Sequence, residues 1–330
     1  MSDSKVSVIV PIYNVEKYVE KCIRSLLDQI YDNIEIWAIS DGSLDNSMKI
    51  VKKIANGDNR VKIIEKENGG YGSVIEYALK NITTEYFLIC DPDDWLEKNA
   101  IKELIENAEK TKADLVIAQK YLVYNNKPEK IIDESINKYY PIQPNKISDI
   151  LPNHFFISVT PHAKLYKTNV AKKIKFLHKV NYTDTTLYLI YLQNIKKILY
   201  INRPLANYYI DRPGNSSTEL EELSDKSFND MCKIIKDLID QSNKNYQYYD
   251  CLCYKIYLLI WFLNRRMKLN DNNINEINYL LSLIEKNKKK MKKYIIGDNH
   301  LKTYEKKIFF NLLMNAKLRK LAIKLVKKIH

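Results

Sequence analysis

Residues 6–43 read VSVIVPIYNVEKYVEKCIRSLLDQIYDNIEIWAISDGS and carry the first clear structural pattern of this 330-residue chain. The apolar, β-branched run at 6–10 predicts a buried strand. Apolar residues then recur at helical spacing from 15 to 29, with Asn14 as the expected N-cap. A second apolar run at 34–39 predicts another strand. The stretch therefore predicts a strand–helix–strand unit.

The same alternation continues to about residue 90. A helix is expected after the second strand, and residues 61–64 predict a third strand. Residues 68–79 predict a glycine-rich turn followed by a helix, and residues 86–90 predict a fourth strand. Strands separated by helices in this way form a parallel sheet with helices on both faces. We therefore expect an α/β, doubly wound fold.

Polar, turn-rich segments follow three of these strands, at residues 11–14, 40–43 and 91–94. In a doubly wound sheet, ligands bind at the carboxyl ends of the strands. The side chains of the three segments are therefore expected to meet in one crevice.

The fourth strand ends in LICDPDDW, residues 88–95, with three carboxylates within four residues. A D-x-D pattern at a strand end supplies oxygen ligands for Mg²⁺ or Mn²⁺, so Asp91 and Asp93 are the expected metal ligands. A metal there would neutralise charge on a leaving phosphate. Asp94 has a different expected role, as the cap of a helix that begins near Trp95.

Two other strand ends offer groups that suit a nucleotide. The carboxylate of Asp41 can accept a hydrogen bond from the N3–H of a uracil-like base, although a turn or helix-cap role is the alternative. Pro11 makes the exit of the first strand rigid. The ring of Tyr13 can cover a base, with packing in the core as the alternative.

The segment NGGYG at residues 68–72 concentrates glycine in a chain that has only 7. Its spacing fits neither a P-loop nor a dinucleotide fingerprint. We interpret Asn68, Gly69 and Gly70 as a loop whose backbone approaches the nucleotide closely.

Taken together, these segments resemble family 2 glycosyltransferases with the GT-A fold. The resemblance rests on residues 6–47, on KENGGYGSVIEYALK and on TTEYFLICDPDDWLE, and it continues through PHAKLYK, YTDTTLY and YYIDRPGNSS to about residue 218. It implies an inverting, metal-dependent transfer of a sugar from a nucleotide diphosphate, usually UDP. Asn14 and Glu16, beside Tyr13, are included in the nucleotide-sugar site that it implies.

The resemblance also assigns a catalytic base. The family has a Glu-Asp pair well after the D-x-D, and the matching position is Asp184, with Thr183 where the glutamate usually stands. A base there would take the proton of the acceptor hydroxyl as that hydroxyl attacks the anomeric carbon. A helix cap before Thr185 is the alternative role of Asp184.

Other matching positions are expected to contact the substrates. Arg212 and Ser216 fall in a loop that closes over the diphosphate in the family, and arginine suits phosphate. His162 and Lys164 fall in the acceptor-side segment. The chain departs from the family at Ile75-Glu76, where an arginine often faces the nucleotide.

Positive charge is concentrated at the C-terminus. Residues 221–330 contain 23 Lys and Arg against 12 Asp and Glu, a net +11 of the chain's total of +13. We expect a GT-A domain at 1–220 and a basic helical region at 221–330, which includes KKKMKK at 288–293. A basic amphipathic helix can lie on an anionic membrane, pack on a neighbouring helix or join two copies of the chain. Nucleic acid is not expected as a partner, because aromatic residues are not interleaved with the basic ones.

The expected activity is therefore that of a glycosyltransferase with a nucleotide-sugar donor and Mn²⁺ or Mg²⁺ as cofactor. The acceptor could be a cell-surface polysaccharide precursor, a lipid-linked sugar or a glycoprotein glycan. A degenerate GT-A-like binding or assembly module and a sugar nucleotidyltransferase are the alternatives. Five cysteines and a short apolar N-terminus favour a cytoplasmic protein, with the inner face of the membrane as a site of peripheral contact.

Overall fold

The structure is a computed structural model in which residues 4–125, 127, 129–133, 145–212, 223–297 and 303–328 are described. Its strands are β1 Val6–Ile12, β2 Ile34–Asp41, β3 Val61–Lys66, β4 Tyr86–Ile89, β5 Trp95–Leu96, β6 Leu115–Val123, β7 Ile131–Ile132, β8 Ile147–Asp149, β9 Lys164–Lys167 and β10 Lys197–Tyr209. Its helices are α1 Val19–Leu27, α2 Ser47–Ile54, α3 Tyr71–Asn81, α4 Ala100–Thr111, α5 Thr168–Ala171, α6 Thr183–Leu192, α7 Asp225–Gln241, α8 Tyr249–Arg266, α9 Asp271–Ile284, α10 Lys288–Met291, α11 Thr303–Leu313 and α12 Arg319–Lys328.

The described strands form one mixed sheet in the order β3-β2-β1-β4-β9-β6-β10-β5, with β7 beside β6 and β8 beside β10. Strand β1 pairs in parallel with β2 and with β4, and β6 pairs in parallel with β10. Strand β9 lies antiparallel between β4 and β6. The expected doubly wound, mostly parallel α/β fold is confirmed.

Apolar residues on both faces of β1 explain why helices cover the sheet on both sides. Every residue of β1 is buried. Its alternate residues from Val6 to Ile12 belong to one core cluster with residues of α1, α2 and α4. Helix α3 also contacts β1 and β2, but its buried Val74 and Ala78 lie outside that cluster. A strand buried on both faces is continuously apolar, as this one is.

The chain reverses its strand order at β1, which lies between β2 and β4. In register, Pro11 lies opposite Ile39 of β2, and Ile9 lies opposite Ile89 of β4. The carboxyl ends of these strands are therefore side by side, where a doubly wound sheet opens a crevice. This geometry brings the polar segments after β1, β2 and β4 to one place.

Two predicted helix boundaries were wrong. Helix α1 begins at Val19, so Asn14 does not cap it. Helix α4 begins at Ala100, and the residues before it form β5, which pairs with β10. Asp94 is therefore not a helix cap, because pairing with β10 keeps the chain extended after it.

The described residues form two compact units. The first contains the sheet. The second takes in Leu151–Ser158 together with the helices after residue 220, and within it Phe155 packs against Tyr246 at 6.2 Å between ring centroids. The division into domains at residue 220 stays a prediction, because compactness does not measure independent folding.

The second unit is held together by apolar faces of α7, α8, α9, α11 and α12. Helix α12 contacts α8, α9 and α11. Among the described residues, we find no helix with the length and apolar character needed to cross a bilayer.

Candidate functional site

The loop after β1 is tied to the loop after β2 by side chains that the sequence placed in the nucleotide-sugar site. Asn14 Oδ1 accepts a hydrogen bond from Leu44 N at 2.9 Å, and Glu16 Oε2 accepts from Asn46 N at 3.0 Å. The left-handed φ of Asn14, 51°, is one that asparagine tolerates. Tyr13, which directly precedes Asn14, is 50% exposed, so its ring is free to cover a ligand.

Asp41, at the end of β2, holds the glycine loop. Its Oδ1 accepts from Gly69 N at 2.9 Å and from Lys66 Nζ at 2.7 Å, and its Oδ2 accepts from Gly70 N at 2.7 Å. Asn68 Nδ2 donates to the Asp41 carbonyl at 3.0 Å. Charge-assisted bonds of this kind are strong, and Asp41 is buried. Both carboxylate oxygens are thus engaged within the protein, and contact with a base stays a prediction.

The glycines let the start of α3 approach another part of the same protein. A Cβ on Gly70 would lie 2.8 Å from Lys179 N, and a Cβ on Gly72 would lie 2.5 Å from Leu177 O. Lys179 N also donates to Gly69 O at 2.6 Å. The close contact that the sequence led us to expect is therefore made to the segment around 177–180, and an approach to nucleotide stays a prediction.

The three carboxylates after β4 have separate partners. Asp91 Oδ1 accepts from the Tyr71 hydroxyl at 2.8 Å. Asp93 pairs with the guanidinium of Arg212. Burial, together with the charges of Asp93 and Asp94, raises the pKa of Asp91 well above its usual range. The three carboxylates that are close in sequence are therefore also close enough in the structure to repel one another.

Asp94 and His162 form a buried pair. Asp94 Oδ2 lies 2.6 Å from His162 Nε2, and Asp94 Oδ1 accepts from Tyr209 N at 2.8 Å. Burial disfavours charge on both, which raises the pKa of Asp94 and lowers that of His162. His162 Nδ1 is buried without a hydrogen-bond partner, and the ring lies 4.4 Å from the ring of Tyr208.

Asp91, Asp94 and His162 each offer a ligand atom, and these atoms lie within 4.8 Å of one another. Carboxylate oxygens and an imidazole suit Mn²⁺ among the divalent metals of such sites. The unpartnered nitrogen of His162 and the raised pKa of both carboxyls fit a place that a cation would stabilise. Asp93, the other predicted metal ligand, instead faces Arg212.

Asp184 lies in the first turn of α6, where its Oδ1 accepts from Thr185 N at 2.9 Å. Tyr182, just before the helix, has a left-handed φ of 67°. Burial raises the pKa of Asp184 to about 6, although Lys164 and Lys120 act in the opposite direction. A carboxyl with this pKa is half ionised at about pH 6 and mostly ionised at neutral pH, which suits a general base.

Asp184 and Asp91 are near enough for their charges to interact. The charge of Asp184 contributes to the raised pKa of Asp91 and of Tyr71. Both carboxyls are surrounded by protein and yet partly open to solvent. The structure therefore brings the base candidate and the acidic cluster together, as the resemblance implies.

Lys164 lies on the same side as Asp184. It is buried, it donates to the Thr160 carbonyl, and its ammonium lies 5.3 Å from the ring centroid of Tyr188. Burial and the neighbouring Lys120 lower the pKa of Lys164 well below its usual range. An acceptor role for Lys164 and His162 stays a prediction.

Arg212 also lies 5.7 Å from the ring centroid of Tyr18. Ser216, the other residue predicted in the diphosphate loop, lies outside the described residues. At the position where the family often has arginine, Ile75 is buried, and Glu76 pairs with Lys80 at 3.2 Å. Arg212 supplies a positive charge beside Asp93, and Lys164 and Lys120 supply positive charge near Asp184.

Sequence reasoning missed Tyr71 and Lys120. Tyr71 follows the glycines, and its hydroxyl reaches Asp91. Lys120 is buried in β6 and donates to Thr160 Oγ1 at 3.0 Å. A lysine inside an apolar strand is the signal that could have revealed it, because a buried ammonium needs polar partners.

The family model described as Glycosyl transferase family 2 matches residues 7–175. Glycosyltransferase GlyA of Streptococcus pneumoniae serotype 4 is 31% identical over 226 residues, which cover 65% of this chain and 32% of GlyA. The chain thus matches about a third of that longer relative. Uncharacterized glycosyltransferase MG025 of Mycoplasma genitalium is 28% identical over 70% of this chain and 76% of MG025.

Solved structures share the fold. TarS 1–349 of S. aureus, in complex with UDP-GlcNAc, has a TM-score of 0.76 and 19% identity, covering 98% of this chain and 90% of that one. The mannosyltransferase PcManGT of Pyrobaculum calidifontis, in complex with GDP-Man and Mn²⁺, has a TM-score of 0.51 and 12% identity, covering 99% and 88%. At these identities the likeness shows the architecture alone.

The contact beneath the glycine loop predicts a measurable cost for adding one methyl group. Gly72→Ala should lower the free energy of unfolding by about 1–3 kcal/mol, because the new Cβ would overlap Leu177 O. Urea unfolding followed by circular dichroism measures the change. Lys80→Ala, an exposed position of the same helix, should change it by less than about 0.5 kcal/mol. Equal stability of Gly72→Ala and the parent would contradict the packing role of the loop.

Proposed function

The chain belongs to glycosyltransferase family 2, and we propose that it transfers a sugar from a nucleotide diphosphate, with UDP as the favoured nucleotide, to a hydroxyl of a glycan or glycoconjugate. The observation that supports this most strongly is the effect of the Asp184 charge on Asp91. It places a carboxyl with a pKa of about 6 beside an acidic cluster at the switch point of the sheet. Transfer with inversion needs a base and a site for the leaving diphosphate on opposite sides of one carbon.

The donor side is proposed to lie along the carboxyl ends of β1 and β2. Tyr13 offers an exposed ring for the base, and Asn14 and Glu16 hold its loop in place. TarS was crystallised with UDP-GlcNAc and with UDP, and its likeness to this chain is greater than that of the GDP-Man-bound PcManGT. That difference supports UDP over GDP as the nucleotide.

A divalent metal, Mn²⁺ or Mg²⁺, is proposed to bind at the acidic cluster. Two ligand sets are proposed, and Asp91 belongs to both. One is the D-x-D pair of Asp91 and Asp93, and the other is Asp91 with Asp94 and His162. When bound, the metal supplies positive charge that stabilises the leaving diphosphate. Arg212, beside Asp93, supplies a second positive group on the same side.

Asp184 is proposed to remove the proton of the acceptor hydroxyl. The acceptor oxygen then forms its bond to the anomeric carbon while the bond from that carbon to the diphosphate oxygen breaks, and the nucleoside diphosphate leaves. The proton remains on the Asp184 carboxyl. Buried Lys164, whose charge favours the ionised form of Asp184, is proposed to keep the base competent near neutral pH.

The proposal is tested by incubating the purified chain with Mn²⁺ and a panel of UDP-sugars and by measuring free UDP. Release of UDP from one member of the panel, increased by an added acceptor glycan, is the expected result. Binding of UDP without any turnover on any donor would instead favour a degenerate binding module. Pyrophosphate formation from UTP and a sugar phosphate would favour a nucleotidyltransferase.

The ligand set of the metal can be read from three single variants. If Asp91, Asp94 and His162 hold the metal, His162→Ala should weaken Mn²⁺-dependent UDP binding by at least about tenfold. Asp91→Asn should do the same in either ligand set, and Asp93→Asn should have the smaller effect. Isothermal titration with and without Mn²⁺ measures these affinities. A large loss in Asp93→Asn with none in His162→Ala would instead identify the D-x-D pair as the ligands.

The base assignment predicts a pH profile. Because burial raises the pKa of Asp184 to about 6, kcat/KM should fall about tenfold per unit as the pH drops below that value. Asp184→Asn should lower kcat on the order of 10²–10⁴-fold. The exposed Asp149→Asn serves as the control and should leave the profile unchanged. Retained turnover in Asp184→Asn would show that another group is the base.

The same pKa makes Asp184 a cost to stability at neutral pH. The folded state holds the proton more tightly than the unfolded chain does, so stability is lost as the pH rises from the ordinary aspartate pKa of 3.8 through about 6. Asp184→Asn should therefore raise Tm above that of the parent near pH 7, and the gain should shrink as the pH approaches about 4. A thermal melt at several pH values measures it, and a gain that does not vary with pH would contradict the burial of this charge.

A further inference from the structure

Helix α12 and the turn directly before it, which contains Lys317 and Leu318, expose a row of leucines at one face, while the opposite side of the helix packs into the second unit. Leu318, Leu321 and Leu325 are 43%, 61% and 39% exposed. Their spacing places them on one side of a helix. Ala322, Ile323 and Val326 are buried. The helix is therefore apolar on more of its circumference than its own unit covers.

The rotation of α12 is fixed by a buried arginine. Arg319 is 2% exposed and donates to Leu313 O at 2.8 Å, to Asn278 O at 3.1 Å and to Glu285 Oε2 at 2.6 Å. A guanidinium buried with partners in three directions cannot turn outward without leaving them unpaired. The rotation of α12 is therefore fixed, and the leucine row faces solvent.

Lysines accompany the leucines. Lys317, Lys320 and Lys324 are exposed, and within the described part of the chain no ion pair is found for their ammonium groups. Lys320 and Lys324 line a depression of about 540 Å³ together with Leu321 and with Asp271, Ile274 and Asn275 of the first turns of α9. The surface thus combines an apolar row with a concave site that has two lysines against one aspartate, a net positive charge.

We propose that this face of α12, defined by Leu318, Leu321, Leu325, Lys317, Lys320 and Lys324, binds the surface of a bilayer that contains anionic lipid. The leucines would enter the boundary between headgroups and acyl chains, and the lysines would contact lipid phosphates. Charge complementarity favours this occupant over a second copy of the chain. A second copy offers the same cationic face, within a region of net charge +11.

The inference depends on the second unit alone and does not require the proposed sugar transfer. The other basic cluster, 288–293, provides a contrast. Lys288 Nζ donates to Met314 O at 3.0 Å, and Lys293 pairs with Asp250 at 2.7 Å, so part of that cluster has a structural role. Lys289 and Lys290 are exposed without a neighbouring leucine row in their short helix.

Flotation of the full chain with vesicles tests the proposal. Vesicles of phosphatidylcholine with phosphatidylglycerol should bind the chain, and vesicles of phosphatidylcholine alone should bind it much less. Lys320→Glu with Lys324→Glu should lower the partition coefficient by about tenfold or more. Leu321→Ser with Leu325→Ser should lower it by about tenfold through loss of apolar insertion. Both pairs leave Arg319 and the buried face intact, and an unchanged Tm verifies the fold.

The matched control is Lys289→Glu with Lys290→Glu, which changes net charge by the same amount at a site without leucines. An equal loss in this control would show that overall charge drives binding and would overturn the proposed surface. Full binding by the leucine variant would overturn it too, because insertion of leucines into a bilayer is part of the proposal. Binding that depends on the lysines alone would fit a soluble polyanion instead. Absence of vesicle binding, or a leucine variant that changes only the oligomeric state in sedimentation, would likewise reject a membrane as the occupant.

Discussion

Negative charge crowded into a small space is the constraint on which the rest of the site depends. At an effective dielectric of 20, two unit charges about 4 Å apart repel by about 4 kcal/mol. Asp91, Asp93 and Asp94 are crowded together, with the charge of Asp184 acting on Asp91, and they are held there by different means. Asp93 has a guanidinium, Asp94 has an imidazole and a backbone amide, and Asp91 has a phenol together with a raised pKa. Such an arrangement favours the binding of a cation, because a cation reduces the repulsion between the carboxylates. Without a cation, the same repulsion is reduced when a carboxylate takes up a proton.

The scaffold around the recess is built so that strand ends carry the chemistry and loops are fastened to one another. Asp41 bonds the glycine loop, and Asn14 and Glu16 bond the loop after β2. These side chains satisfy backbone donors that a turn at the edge of a sheet would otherwise leave open. Because the loops are held in this way, the groups that would contact a ligand lose little conformational entropy when it binds. The site is therefore preorganised.

The sequence predicted the sheet and the crevice well because both follow from local patterns. Apolar runs at β-α spacing predict a parallel sheet covered by helices, and polar residues at the strand ends then meet by geometry. It failed where partners came from distant parts of the chain. The alternative role of Asp94 as a cap was local reasoning, whereas its actual partners, His162 and Tyr209, lie far along the sequence. The contact of the glycine loop with Leu177 and Lys179 was not predicted for the same reason, since nothing near the loop in sequence indicates it.

Positive charge has two roles in the basic C-terminal region: buried Arg319 fixes the rotation of α12, and exposed lysines lie beside the leucines. Burying Arg319 has a desolvation cost that its three partners offset, and the result is a helix that cannot rotate to hide its leucines. Turning the helix to bury the leucines would expose Ala322, Ile323 and Val326 and would leave Arg319 without its partners, so the leucines stay outside as a consequence of the packing. The exposed leucines and the lysines beside them therefore lie together on one face, which is the arrangement that the proposed contact with anionic lipid requires.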